Sequence, residues 1–135
     1  MPGPAMRATV PSMGWTVLLV DDHAAFRAAA RELLESAGCV VVGEAVDGGS
    51  AVQMAHRLRP DALLLDVQLP DMDGFEVAAE LGRQLAPCPL IVLTSTRSAS
   101  SYRRRLAASD VAGFLAKTDL TVANLQALLP PAVPA

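Results

Sequence analysis

The sequence predicts an α/β fold: a five-stranded parallel sheet with helices on both faces. Three observations carry this. Five short apolar runs alternate with five segments of helical character. The runs are apolar at consecutive positions, as in strands buried on both faces. Parallel neighbours need crossover connections, and right-handed crossovers distribute the helices over both sides of a sheet.

Each element follows in order. Residues 15–20 (WTVLLV) form the first apolar run. Residues 24–37 carry Phe26, Ala29, Ala30, Leu33 and Leu34 at helical spacing, and Gly38 suits the position just past a helix end. Residues 39–45 (CVVVGEA) are rich in β-branched side chains and read as a strand. Residues 50–58 place Ala51, Met54, Ala55 and Leu58 on one helical stripe. Residues 62–66 (ALLLD) are a third strand after Pro60-Asp61, and residues 75–85 a third helix. Residues 89–93 (PLIVL) read as a strand, 99–108 as a polar-faced helix, 113–116 (GFLA) as a short strand and 120–129 as a last helix before Pro130-Pro131. Three of the ten prolines fall in residues 1–11 and three in 130–134, so the expected folded unit is 15–129. Residues 1–14 are expected to be a flexible tail and 130–135 a proline-rich tail or the start of a linker.

In open α/β sheets ligands bind beyond the carboxyl ends of the strands. Here the first run ends in Asp21-Asp22, the third in Asp66 and the fourth in Thr94-Ser95, while the fifth is followed at once by Lys117. Three carboxylates, a hydroxyl and an ammonium therefore converge on one sheet edge. Carboxylates crowded together repel and raise one another's pKa unless a cation relieves them. Mg²⁺ suits such a site, since it takes oxygen ligands and commonly binds one or two carboxylates plus a phosphate oxygen. A carboxylate also accepts phosphoryl groups covalently, and that transfer needs positioning and charge neutralisation above all. Taken singly, each residue has a plainer role. Asp21-Asp22 reads equally as a helix cap, Thr94 as a strand-end cap and Lys117 as a solvated lysine. Their joint occurrence at successive strand ends points to one site.

Composition narrows the remaining classes. The chain has 135 residues, 52% hydrophobic and 19% charged, which fits one globular domain. A net charge of −3 gives no reason to expect direct nucleic-acid binding. No apolar run reaches the ~18–20 residues of a membrane span, and the N-terminus lacks the apolar stretch of a secretory signal. A cytoplasmic location is expected. Ten of the eleven basic residues are arginine, which singles out Lys117.

LLVDDH at 18–23, PDALLLDVQLPDMDGFEV at 60–77, IVLTS at 91–95 and GFLAK at 113–117 resemble the response-regulator receiver domains of two-component phosphorelays. The DDH spelling followed by Phe26-Arg27 is similar to receivers that carry LuxR-type DNA-binding domains. The resemblance implies a flavodoxin-like receiver fold with strand order 2-1-3-4-5. It implies that Asp66 accepts a phosphoryl group from a sensor histidine kinase. Asp21, Asp22, Asp66 and the backbone carbonyl of Gln68 would hold Mg²⁺ or Mn²⁺. Thr94 and Lys117 would bind the phosphoryl group, and Thr94 and Phe114 would form the switch. Gln68 and Thr96 stand where the family tunes hydrolysis. The chain would act on no outside substrate, catalysing only its own phosphorylation and dephosphorylation. It would signal to a second copy or a downstream protein through residues 99–129, either as a stand-alone receiver or as the receiver of a DNA-binding regulator.

The rival class is a metal-dependent phosphohydrolase with Asp66 as nucleophile. Haloacid-dehalogenase-like phosphatases carry a second Asp two positions on, where this chain has Gln68. His23 is expected as a polar residue of the first helical turn rather than a ligand, because Mg²⁺ favours oxygen. His56 is expected on an exposed helix face. Cys39 and Cys88 are expected as small core residues in a reduced compartment. Arg103-Arg104-Arg105 spread around a helix rather than forming a stripe, and read as a solvated face or a partner surface.

Overall fold

Alternate side chains of each central strand enter two different cores, which is the period-2 geometry of a strand covered on both faces. In the computed structural model, which describes residues 14–129, the strands are β1 (Thr16–Val20), β2 (Val40–Ala45), β3 (Ala62–Asp66), β4 (Leu90–Ser95) and β5 (Gly113–Ala116). The helices are α1 (Ala24–Ser36), α2 (Gly48–Leu58), α3 (Gly74–Gln84), α4 (Arg103–Ala107) and α5 (Val122–Leu128). All strand pairs are parallel, in the order β2-β1-β3-β4-β5. The α/β class and the order expected from the resemblance are both found.

Val17, Leu19, Leu64 and Val92 face α1 and α5, packing with Ala30, Leu34 and Leu125. Leu18, Val20, Leu63, Leu65 and Leu93 face the other way, onto Ala51 and Ala55 of α2 and Val77 and Leu81 of α3. Leu18, Leu34, Leu65 and Leu81 are fully buried, and each such side chain contributes roughly 1.5–3 kcal/mol by leaving water. These two cores hold the strands in register and bring their carboxyl ends to one edge of the sheet.

Local signals set the helix ends. Asp47 accepts the Ser50 N–H and starts α2. Asp73 and Glu76 form a reciprocal capping box at α3. Gly38, with φ of 87°, closes α1 in the left-handed region that suits glycine. The Ala86–Pro87 peptide is cis.

Four expectations need correction. The helix read over 99–108 is a 3₁₀ turn, Ala99–Tyr102, followed by a single short α-helix; Ser100 and Ser101 supply no apolar stripe to extend it. β4 runs Leu90–Ser95 rather than 89–93, so Thr94 and Ser95 are its last residues, paired with β3 and β5. Cys39 is buried, but Cys88 is exposed, since it sits in the loop between Pro87 and Pro89 that β4 leaves outside the sheet. Ala29 faces solvent, because α1 buries only Ala30 and Leu34 fully. Residues 1–13 and 130–135, expected as tails, lie outside the described residues.

Candidate functional site

β1 and β3 are neighbours, with Val20 opposite Leu65. The residues that follow this pair, Asp21 and Asp66, therefore emerge side by side. Both are buried, at 2% and 3% exposure. Asp22 is exposed at the rim. A cation-binding atom from each of Asp21, Asp22, His23 and Asp66 falls within 4.8 Å of all the others.

Lys117 begins the turn after β5 and reaches across β4 to this cluster. Its Nζ lies 2.6 Å from Asp21 Oδ2 and 3.2 Å from Asp66 Oδ2. The same ammonium lies 4.6 Å from the centre of the Phe26 ring, a cation–π contact. Burial pulls the lysine's pKa down, but its hydrogen bond to Asp21 and the charges of Asp66 and Asp21 outweigh it, and the ammonium titrates above its ordinary value. Asp66 runs the other way. Burial pushes its carboxyl up, the Gln68 N–H pulls it down, Asp21 pushes it up again, and Lys117 pulls it down; the net shift is upward. One ammonium therefore does not fully relieve this carboxylate.

Thr94 stands opposite Asp66 in the register of β3 and β4. Its Oγ1 is fully buried and has no hydrogen-bond partner among the described residues. A buried unsatisfied hydroxyl costs about 1–3 kcal/mol. The site's oxygen donors, its surplus of carboxylates and this orphan hydroxyl together fit a hard divalent cation and an anionic group beside it.

The acceptor loop is tied down on both sides. Asp66 Oδ1 accepts the Gln68 N–H at 3.1 Å, and Gln68 forms an isolated antiparallel bridge with Asp73. Gly74 N–H donates to the Val67 carbonyl at 2.7 Å. A Cβ on Gly74 would lie 2.5 Å from the Asp66 carbonyl oxygen, so only glycine permits this approach. Asp71 accepts both Gly48 and Gly49 N–H groups, at 2.7 and 2.9 Å, and these bonds hold its carboxyl below the usual range. That clamp onto the start of α2 was not anticipated. Only the fold brings residues 71 and 48 together.

The other expected site residues take different places. Gln68 and Thr96 are both exposed, one two residues after Asp66 and the other two after Thr94. Phe114 is half-buried and packs on Tyr102, ring centres 5.8 Å apart; Tyr102 in turn packs on Phe75 at 5.9 Å. Tyr102 Oη and Ser95 Oγ are 3.0 Å apart, linking this aromatic row to the residue after Thr94. His23 is not in the first turn of α1 but at its N-cap, with no side-chain capping bond. Its Nδ1 sits 2.9 Å from Asp21 Oδ1 and 3.1 Å from Asp22 Oδ1. Asp21 accepts the His23 backbone N–H rather than capping the helix. His56 is exposed as expected, and its Nε2 contacts Gln84. Arg105 is not free in solvent: it stacks over Phe75 and pairs with Asp73.

Comparison with known proteins agrees with this geometry. The family model described as the response regulator receiver domain matches residues 17–129. BvgA of Bordetella pertussis is 38% identical over 101 residues, covering 75% of this chain and 48% of that protein. The transcriptional regulatory protein LiaR of Bacillus subtilis is 41% identical over 80 residues, 58% of this chain and 38% of its own length. Among solved structures, a LuxR-family two-component response regulator from Aurantimonas superposes with a TM-score of 0.74 at 28% identity, covering 83% of this chain and 79% of that one. The chain spans about half the length of the first curated relatives it matches.

Proposed function

The chain belongs to the response regulator receiver family, and we propose that Asp66 is the residue at which it takes a phosphoryl group. The observation that carries this reading is the convergence of Asp21, Asp22 and Asp66 within 4.8 Å, with Lys117 Nζ 3.2 Å from Asp66. An Asp66 carboxylate oxygen attacks phosphorus, the P–N bond of a kinase phosphohistidine breaks, and the imidazole leaves with the bonding electrons. Asp66 is well placed because its backbone and one oxygen are fixed by Gly74 and Gln68. Asp21, Asp22, Asp66 and the Gln68 carbonyl would hold Mg²⁺ or Mn²⁺, which when bound neutralises charge on the transferring group. Lys117 pairs with the phosphoryl oxygens and the orphan Thr94 hydroxyl donates to them.

Thr94 moves toward the new anion, and the row from Ser95 through Tyr102 to Phe114 repacks, which changes the surface of residues 99–129. Gln68 and Thr96, both exposed, set how readily water reaches the acyl phosphate. The chain thereby serves its own phosphorylation and dephosphorylation, without an outside substrate. The unit carrying this role is residues 15–129. BvgA and LiaR are longer proteins, and the name of LiaR supports transcriptional regulation as the output such a receiver governs. Among the described residues no helix is long and apolar enough to cross a membrane, which supports a cytoplasmic location.

The test is incubation with Mg²⁺ and acetyl phosphate, followed by phosphate-affinity electrophoresis. A shifted band is expected for the wild type and none for Asp66→Asn. A shift that persists in the variant sinks the assignment.

A further inference from the structure

Asp21 is held through both of its backbone groups, its N–H before the residue and its carbonyl in the peptide that leads to Asp22, and both ties trace to β2. The Asp21 N–H donates to the Ala45 carbonyl at 3.0 Å. The Asp21 carbonyl accepts from Arg27 Nη1 at 2.8 Å. Arg27 is itself held by Glu44, the residue before Ala45, whose Oε1 accepts from Arg27 Nε at 2.8 Å. Glu44 gives its other oxygen to Arg31 Nε, also at 2.8 Å. Arg31 has no hydrogen bond to Asp21; its remaining bond is to Glu35.

From this we infer that Arg27, anchored by Glu44, is a positioning residue for the cation site. It fixes the peptide from which the Asp21 and Asp22 side chains depart. The inference rests on the cation reading given under Proposed function. Arg27 touches neither acidic side chain, so it acts through the backbone. Its planar fork lets Nε and Nη1 serve two acceptors at once, which a single ammonium does not reproduce. Glu44 is pulled below the usual carboxylate range, first by the hydrogen bond from Arg31 and, after the opposing effect of burial, by that from Arg27.

Charge and positioning predict opposite signs. The Arg27 guanidinium is a cation near a cation site, so by charge alone its removal tightens divalent-ion binding. If positioning governs, its removal weakens binding. Partners that orient ligands from outside the coordination shell typically change metal affinity by ten-fold or more.

The test is titration of the metal-free protein with Mn²⁺, following free ion by electron paramagnetic resonance, with thermal melting of each metal-free variant alongside. Arg27→Gln and Arg27→Lys are both expected to bind about ten-fold more weakly than wild type. Arg31→Gln, which breaks the other arm of Glu44, is expected to bind as wild type does. The inference is overturned if Arg27→Lys binds as wild type does, if Arg27→Gln binds more tightly, or if Arg31→Gln is weakened as much as Arg27→Gln. Should Arg27→Gln fail to fold, Arg27→Lys and Arg31→Gln still decide. Asp22→Asn separates the two readings: undiminished binding there refutes the cation site itself, whatever the arginine variants do.

Discussion

Lys117 and Asp66, 51 residues apart in sequence, meet at 3.2 Å between Nζ and Oδ2. The same ammonium holds Asp21 Oδ2 at 2.6 Å. In the metal-free protein this lysine is the cation that keeps two buried carboxylates together.

Replacing Lys117 by Met removes that cation and leaves both carboxylates buried without their ammonium. Breaking a buried pair in this way costs about 3–5 kcal/mol. Urea denaturation at pH 7 without divalent ions should show a loss of that order. Saturating Mg²⁺ should restore part of it, because the ion relieves the same charges.

Asp66 sets a pH dependence of its own. Burial holds its folded-state pKa above the unfolded value of about 3.9. The folded chain thus binds this proton more tightly than the unfolded chain. Stability is gained as pH falls through the raised pKa and lost as pH rises through it. Metal-free Asp66→Asn should therefore be more stable than wild type at pH 7, by roughly 1.4 kcal/mol for each pKa unit of the shift. The difference should vanish below pH about 4. Denaturation midpoints measured across pH check this; a variant less stable than wild type at pH 7 contradicts it.

Thr94→Val removes a buried hydroxyl that has no partner while keeping its shape. The unphosphorylated domain should be unchanged or stabilised by about 1 kcal/mol. Its response to beryllofluoride should nevertheless be lost, read as absent NMR shift changes at Phe114 and Tyr102. A variant that is destabilised, or that still responds, argues against the role given to Thr94.

Much of this was legible in the sequence, for a physical reason. Strands buried on both faces must be apolar throughout, so the charged residues that end them, Asp21 and Asp66, stand out. Contacts between distant elements decide the alternatives that the sequence leaves open. Lys117 is no solvated lysine, because β5 lies beside β4 and delivers it to the site. The contacts of Arg27 are not legible in the sequence, since its partners, Glu44 and the Asp21 carbonyl, depend on β1 lying beside β2. The short α4 was misread because helix propensity over 99–108 says nothing of Tyr102 turning to meet Ser95. Cys88 was misplaced because burial of a loop residue is decided by packing rather than by residue type.

Two glycines should respond in opposite ways to alanine. In Gly74→Ala the new Cβ meets the Asp66 carbonyl oxygen and Val67 Cα, which are backbone and do not yield easily; a loss of about 2–3 kcal/mol is expected. In Gly82→Ala nothing lies within 4 Å of the new Cβ, so α3 should gain roughly 1 kcal/mol from better helix propensity. Paired urea denaturation curves test both.

The central claim is that Asp66, rather than Asp21 or Asp22, carries the phosphoryl group. Borohydride reduces an acyl phosphate to the corresponding alcohol and so marks the residue that carried it. The protein is phosphorylated with acetyl phosphate and Mg²⁺, reduced, digested and mapped by mass spectrometry. The account predicts homoserine at position 66 and at no other aspartate; homoserine at 21 or 22, with 66 intact, contradicts it.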